Sequence, residues 1–349
     1  GYDHQLNYGT PTKLGVGLHE LTIDNGIRQT SKKYLIKKDN LTILTGYKVS
    51  QLIIDGQVVK GVKTLNKKKE YNFFAKKEVI LSAGAFGSPK ILQLSGIGPR
   101  SLLESTGIKV KHDLPGVGQN LQDHFQLRCV YKIKNEATYN DLYWSYSRKI
   151  YAALQYIFLK TGPLAEGVSL AGLCGIEFIN KTEYSIQMHL TLASGDDTNK
   201  LHKESGITIS VYQEKPTSRG SVKIKSKNPY DELDIDINYL DTKNDLQSTE
   251  ASINLTRKMM ETKAMSKLIK KELYPGQGVK TKKQIISYAK STGTTIYHQC
   301  GTCKMGDDNN SVVNSNLKVL PMQNLRVVDA SIMPVIVSGN TNATVMMIA

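Results

Sequence analysis

Long hydrophobic runs are missing from this sequence. No apolar run reaches the roughly 18 residues that a helix needs to span a bilayer. Residues 151–179 come closest, but Lys160, Glu166 and Glu177 interrupt them. We therefore expect no membrane-spanning segment.

Cysteine is also scarce. The four cysteines, Cys129, Cys174, Cys300 and Cys303, are too few to staple a disulfide-rich fold. Cys300 and Cys303 form a C-x-x-C pair, which could be redox-active or supply half of a zinc site. A four-ligand zinc site would need a second pair with similar spacing, and the sequence has none. We predict no metal site.

Acidic residues are outnumbered by basic ones. The chain has 46 Lys and Arg against 31 Asp and Glu, a net charge of +15. A nucleic-acid groove would interleave basic runs with aromatic residues, whereas the lysines here are scattered. We predict no nucleic-acid partner and interpret the charge as a solvated surface that favours anionic partners.

Both ends of the chain lack the usual signals. The sequence begins at Gly1 without a signal-like segment and stops at Ala349 inside an apolar helical pattern. From this we expect a fragment of a longer protein. Glycosylation triplets such as those beginning at Asn40, Asn180, Asn254 and Asn309 agree with a secreted, extracellular protein.

Strand and helix signals alternate in the first third, after a loop-like stretch from residue 1 to about 30. Asp55-Gly56 predicts a hairpin turn between strands at 49–55 and 58–64. A buried strand over 77–81 ends in the small residues 82–85, which let a ligand approach the backbone.

A helix follows this strand. Ser88 is a suitable cap, Pro89 a suitable first residue and Gly96 a suitable end. A strand, a small-residue turn and a helix in this order place a ligand at the carboxyl end of a sheet.

The middle of the chain changes character. Apolar steps of three and four residues from Tyr143 to Ile157 predict an amphipathic helix, whose tyrosine stripe we interpret as core packing. Strands are predicted next, at 185–192, 207–213, 220–226 and 233–239. An amphipathic helix over 246–273 and a buried strand at 325–329 follow. The predicted fold class is α/β with a mainly antiparallel β region inserted.

The strongest functional signal lies near the end of the chain. His298 precedes a Gly-Thr turn at 301–302, and residues 340–344 open a further helix. Histidine titrates near neutral pH, so it can accept a proton there. The competing interpretation is a buried histidine that donates a hydrogen bond to a carbonyl.

Five segments carry a family resemblance, in the family's own order: 82–99, 114–124, 218–220, 298–306 and 325–348. They resemble the glucose–methanol–choline (GMC) flavoprotein oxidoreductases, most of all the insect-type FAD–quinone glucose dehydrogenases. The resemblance implies an FAD-binding, Rossmann-like domain and an α+β substrate domain built on an antiparallel sheet. The implied ranges are 1–124 for the remainder of the FAD-binding domain, 125–292 for the substrate-binding domain and 293–349 for the return to the FAD-binding domain.

One part of the family pattern is absent. The family's G-x-G-x-x-G turn and its following acidic residue hold the ADP half of FAD. The G-x-G triplets of this chain, which begin at Gly15, Gly96, Gly116 and Gly276, do not continue to a third glycine in a strand–turn–helix context. We therefore predict the C-terminal portion of an enzyme, inactive alone and without tight FAD binding.

The resemblance also assigns site residues. His298 matches the catalytic base, and Asn342 matches the second catalytic residue. The implied FAD contacts are Val49 at the adenine, Ala83 and Gly84 on the nucleotide side, Asp329 and Ala330 near the pyrophosphate and ribityl chain, and Ala343 and Thr344 beside the flavin ring. Ordinary sheet packing is the alternative interpretation of Val49, Ala83 and Gly84.

The implied activity is oxidation of an alcohol CH–OH group, in a sugar or related alcohol, by hydride transfer to FAD. Quinone or oxygen would be the electron acceptor. His298 would remove the hydroxyl proton, and the Asn342 amide, which is no base, would hydrogen-bond the substrate oxygen. With Asn342 as cap, the helix beginning at Ala343 would favour the negative charge of reduced flavin. The second hypothesis is an inactive GMC-fold pseudoenzyme that serves as a binding protein.

Overall fold

The structure is a computed structural model that describes residues 3–4, 14–35, 39–67, 69–179, 182–196 and 200–349. Its helices are α1 (Gly84–Leu94), α2 (Arg100–Ser105), α3 (Tyr139–Trp144), α4 (Tyr146–Leu159), α5 (Lys243–Met260), α6 (Lys282–Thr292) and α7 (Asn342–Ile348). Short 3-10 helices cover Ser31–Tyr34, Met265–Lys267 and Ala330–Ile332.

The strands are β1 (Asp3–His4), β2 (Gly15–Leu18), β3 (Ile23–Asp24), β4 (Ile27–Arg28), β5 (Lys48–Asp55), β6 (Val58–Asn66), β7 (Lys69–Phe74), β8 (Val79–Leu81), β9 (Ile97–Gly98), β10 (His112–Asp113), β11 (Phe125–Ile133), β12 (Ser169–Ile179), β13 (Thr182–Thr191), β14 (Gly206–Gln213), β15 (Ser221–Lys223), β16 (Asp234–Asp236), β17 (Ile269–Tyr274), β18 (Thr294–Thr295) and β19 (Leu325–Val327).

The chain divides into two compact units. Unit 1 contains Gly1–Ile36, His124–Pro216 and Thr242–Ile296, and unit 2 contains Lys37–Asp123, Thr217–Asp241 and Tyr297–Ala349. These units differ from the predicted ranges in two places, since residues 1–36 group with the sheet unit and 217–241 group with unit 2. The functions assigned to the predicted domains remain predictions.

Unit 1 is built on an eight-stranded sheet in the order β1-β2-β12-β13-β14-β11-β17, with β18 paired to β11. The parallel pair β1–β2 lies at its edge, and the other pairs are antiparallel. Every second residue of β14, namely Ile207, Ile209 and Val211, is buried, as expected for a sheet with one apolar face. Helix α5 packs against β14.

The predicted strands 185–192 and 207–213 are confirmed as β13 and β14. The predicted strands 220–226 and 233–239 are confirmed over their central residues as β15 and β16, which pair with each other and lie in unit 2. The described part of the predicted N-terminal loop is corrected, since β2 pairs with β12 through Ala171–Cys174.

Two helix predictions in unit 1 need correction. The predicted helix 246–273 ends as α5 at Met260, because residues 269–274 form β17 and pair with β11. The predicted helix around 143–157 is broken at Ser145, whose hydroxyl accepts a hydrogen bond from the Arg148 N–H and caps α4. Its tyrosine stripe is not core packing, since Tyr146 is 84% exposed.

Unit 2 contains the three-stranded antiparallel sheet β5-β6-β7 and the parallel pair β8–β19. The Asp55-Gly56 hairpin is confirmed, and Gly56 adopts the left-handed φ of +57° that favours glycine in such a turn. One apolar cluster joins β5, β6, β8, β19 and α1 to the segment around 312–322, with Leu92, Val313 and Val327 fully buried. This cluster supports the elements that carry the site described next.

In the part of the chain that the structure describes, every helix is too short or too polar to cross a bilayer.

Candidate functional site

The carboxyl ends of the adjacent parallel strands β8 and β19 bring two predicted cofactor segments together. Asp329, which is buried, follows β19 and reaches the turn after β8. One carboxylate oxygen, Oδ2, accepts hydrogen bonds from the Gly84 N–H at 2.9 Å and the Ser88 hydroxyl at 2.6 Å. The other, Oδ1, accepts from the Ser331 N–H at 2.8 Å. A carboxylate at this place also complements the positive end of α1.

Helix α1 begins earlier than predicted, at Gly84, so Ser88 is not its cap and Pro89 lies inside it. Proline lacks the N–H that would bond to the carbonyl four residues earlier, which is that of Ala85. The Thr302 hydroxyl donates to this carbonyl at 2.6 Å instead. This long-range hydrogen bond therefore replaces the one that Pro89 cannot make. It allows a proline inside the helix, where the sequence pattern predicted the first helical residue.

The segment that follows His298 lies along residues 330–332. The N–H of Gly301 donates to the Ala330 carbonyl, that of Cys303 to the Ser331 carbonyl and that of Met305 to the Ile332 carbonyl, at 2.8–3.2 Å. The structure thus joins the candidate catalytic segment to residues 330–332, which directly follow Asp329, by a row of backbone hydrogen bonds.

His298 itself is buried, with 7% of its surface exposed. Its backbone N–H donates to Asp123 Oδ1 at 3.0 Å. Burial lowers the pKa of the His298 imidazole below its ordinary value of 6.5, and the negative charge of Asp123 opposes this shift. An imidazole with a lowered pKa is neutral at pH 7, which is the form that can accept a proton.

Cys300 and Cys303 are completely buried, free thiols. Burial raises the pKa of Cys300 to about 12 and also raises that of Cys303. Reactive and metal-binding cysteines need the thiolate, so these environments favour the structural interpretation of the C-x-x-C pair. No cluster of three or more His, Cys, Asp or Glu suited to a metal occurs among the residues with described positions.

Asn342, Ala343 and Thr344 lie at the start of α7. Thr341 occupies the N-cap position and Asn342 is the first helical residue, so the prediction that Asn342 caps this helix is wrong. Asn342 and Ala343 are exposed. Val345 and Ile348, on the same helix, pack against the buried cluster of Cys300, Met333 and Ile336, which ties α7 to the segment that carries His298.

Val49 lies on β5, half-buried against the main apolar cluster of unit 2. Its neighbours on that strand contact the end of α1, since the Leu52 N–H donates to the Ser95 hydroxyl at 2.8 Å. Ala83 and Gly84 form the beginning of α1. Leu52 and the Asp329 cluster therefore lie at opposite ends of this helix.

Open space lies in front of Gly84. This glycine has a φ of +76°, and a Cβ at its position would meet no atom within 4 Å. Ser82 and Ala83 are exposed. These small residues fit the close backbone approach of a dinucleotide such as FAD. Asp329, whose two carboxylate oxygens already accept hydrogen bonds from the chain, fits a role in shaping the turn rather than contacting phosphate.

Sequence reasoning missed Asp123, Gln122 and Thr302. Gln122 is buried and accepts from the Ile336 N–H at 3.1 Å, while its side-chain amide donates to the Pro334 carbonyl at 3.1 Å. The sequence signal for Asp123 and Gln122 was the run of three polar residues 122–124. When such side chains are buried, each polar group needs a hydrogen-bond partner.

Comparison with known proteins places these observations in a family. Two family models described as GMC oxidoreductase match, one over residues 1–126 and one over residues 216–349. An oxygen-dependent choline dehydrogenase of Photobacterium profundum is 35% identical, over 100% of this chain and 62% of its own length. An alcohol dehydrogenase (acceptor) of Pseudomonas putida is 34% identical, over 96% of this chain and 62% of its own. The chain spans less than two thirds of the length of these curated relatives.

Solved structures agree on the fold. A formate oxidase of Aspergillus oryzae RIB40 matches with a TM-score of 0.89 and 25% identity, over 97% of this chain and 64% of that one. Pyridoxine 4-oxidase from Mesorbium loti matches with a TM-score of 0.80 and 28% identity, over 96% of this chain and 62% of that one. The predicted fold class is confirmed, and so is FAD as the cofactor of the family and fold.

The expected special likeness to insect-type glucose dehydrogenases is not supported, because the relatives above are choline and alcohol dehydrogenases. The two family models cover well over half of the sequence. The chain belongs to the GMC oxidoreductase family.

Proposed function

We propose that this chain carries the catalytic histidine of an FAD-dependent oxidoreductase that oxidises an alcohol CH–OH group. The observation that carries the proposal is a buried histidine, held by a buried carboxylate, on the segment that pairs with residues 330–332. The activities of the relatives, which are named for choline and alcohol oxidation, agree with it.

The FAD contacts remain those that the family resemblance implies. Ala83 and Gly84 would meet the nucleotide at the open turn after β8, and Asp329 would hold that turn in shape. Val49, Ala330, Ala343 and Thr344 complete the proposed set. When bound, FAD would supply the acceptor for the hydride of the alcohol C–H bond.

His298 would accept the hydroxyl proton at the imidazole. Because burial lowers its pKa, the ring is neutral near pH 7 and ready for this role. Asn342 would donate a hydrogen bond to the substrate oxygen from the exposed start of α7, since an amide cannot act as a base. A general base of this kind contributes about 10²–10⁴-fold to the rate.

The substrate within the alcohol class is part of the proposal. A sugar or related alcohol follows from the resemblance stated above, and a choline-like or simple alcohol follows from the relatives. Quinone or oxygen would reoxidise the cofactor. Secretion belongs to the same proposal.

A substrate screen tests the proposal. The full-length protein, loaded with FAD, is mixed with choline, simple primary alcohols, aryl alcohols and glucose, and dye reduction is followed under nitrogen and under air. We expect turnover with one alcohol class, and the dependence on air identifies the acceptor. Full FAD occupancy with no turnover on any alcohol would favour the alternative, an inactive GMC-fold binding protein.

A further inference from the structure

We propose that Asp123 is a positioning residue for His298, fixing the backbone that carries the imidazole and keeping a negative charge beside it. The inference rests on the proposed role of His298 as the base. It adds a second residue, on a distant part of the chain, to the machinery that prepares the histidine for proton transfer.

The geometry around Asp123 is that of a fully used, buried carboxylate. Asp123 is 3% exposed. Its Oδ1 accepts from the His298 N–H at 3.0 Å, and its Oδ2 accepts from the Gln299 side-chain amide at 3.1 Å and from the Tyr239 hydroxyl. Hydrogen bonds to an ionised group are about twice as strong as those between neutral groups. Two of the three donors belong to the segment that begins at His298.

The backbone beside His298 needs such an anchor. Tyr297 has a φ of +65°, a left-handed conformation that a residue other than glycine keeps only where its surroundings impose it. On the other side, Gln122 and Cys300 exchange two backbone hydrogen bonds of 3.0 and 3.1 Å. Residues 122–123 therefore hold the backbone of residues 298–300, through backbone hydrogen bonds and the Asp123 side chain together.

The charge of Asp123 has a second effect. Proton uptake by His298 creates an imidazolium in a buried place, and a nearby carboxylate stabilises that cation. The Tyr239 hydroxyl donates to this carboxylate, and the Cys300 thiol feels the charges of both Asp123 and Arg219. Asp123 raises the pKa of the Cys300 thiol and Arg219 lowers it. Asp123 is the acidic group that offsets the effect of burial on His298.

The charge is tested by Asp123→Asn, which keeps the shape of the side chain. The pKa of the His298 imidazole is measured by NMR of ¹³C-labelled histidine, with the signal assigned by its loss in His298→Gln. We expect a fall of about 1 unit, as for the loss of a nearby opposite charge. The matched control is Asp307→Asn, at an exposed position of the same unit, which leaves that pKa unchanged. An unchanged pKa in folded Asp123→Asn overturns the electrostatic part.

The positioning is tested by Asp123→Glu, which keeps the charge but moves the carboxylate by one methylene. We expect a loss of about 10-fold or more in the rate of flavin reduction, mainly in kcat, while the His298 pKa stays within half a unit of the wild-type value. If flavin in the folded, FAD-loaded Asp123→Glu protein is reduced at the wild-type rate, the positioning role of Asp123 is overturned. A failure of the proposed function can be told apart from a failure of this inference. If His298 is not the base, FAD is reduced at a normal rate in His298→Ala. The NMR titration still shows in that case whether Asp123 acts on His298. If Asp123→Asn does not fold, Asp123→Glu alone decides.

Discussion

The hydrogen bond between Thr302 and helix α1 leads to a prediction about stability, because α1 contains a proline. Its hydroxyl donates to the Ala85 carbonyl, the acceptor that Pro89 cannot serve. Thr302→Val keeps the shape and removes the donor, in a place where Thr302 is fully buried. Leaving a buried carbonyl without this donor costs about 1–3 kcal/mol, so we expect the free energy of unfolding to fall by about 2 kcal/mol.

A double-mutant cycle isolates this bond. Pro89→Ala gives α1 the missing N–H, which can then bond to the Ala85 carbonyl. In that background we expect Thr302→Val to cost about 1 kcal/mol less than in the wild type, a coupling that contacting residues commonly show. Equal costs in both backgrounds would refute the reasoning.

The assay is urea denaturation followed by far-UV circular dichroism. The single tryptophan, Trp144, lies in unit 1, so its fluorescence reports that unit separately. Two controls complete the set. Thr302→Ser keeps the hydroxyl and should cost only about 1 kcal/mol for the lost methyl group. Thr45→Val makes the same exchange at an exposed site of unit 2 and should stay within about 0.5 kcal/mol.

Three further predictions concern stability and thiol chemistry. Gly118→Ala should destabilise the protein by at least about 2 kcal/mol in urea denaturation, because Gly118 has a φ of +82° and a Cβ there would lie 2.2 Å from the Val222 carbonyl oxygen. A thiol reagent such as DTNB should label none of the four buried cysteines in the native protein and all four in urea; rapid native labelling of one thiol would contradict their burial. The melting temperature should decrease as the pH falls below about 6.5, because burial lowers the pKa of three histidines in the folded protein, so the unfolded chain binds those protons more readily. A flat profile between pH 5 and 7 would contradict the last prediction, which rests on His19, His112 and His298.

Local signals predicted the local structure well. The Asp55-Gly56 turn and the strands β13 and β14 follow from turn chemistry and from strand patterns that the sequence displays directly. The cofactor turn after β8 was visible for the same reason, as small residues between a buried strand and a helix.

What the sequence could not predict depends on distant partners. The start of α1 was misplaced because the donor that allows Pro89 inside the helix is Thr302, more than two hundred residues away. Strand β2 forms by pairing with β12, and strand β17 forms by pairing with β11, and both partners are distant in the sequence. The polar run 122–124 does not reveal the role of Asp123, since that role depends on meeting His298, Gln299 and Tyr239 in the folded chain.

The most direct test of the central claim is anaerobic rapid mixing of the full-length, FAD-loaded protein with its alcohol substrate, comparing wild type with His298→Ala at equal FAD content. If His298 accepts the hydroxyl proton, the rate of flavin reduction falls by about 10²–10⁴-fold, in kcat as well as in kcat/KM. The wild-type rate rises with pH as the imidazole becomes neutral, and the variant loses this dependence. Reduction of the His298→Ala protein at a near wild-type rate would contradict the account.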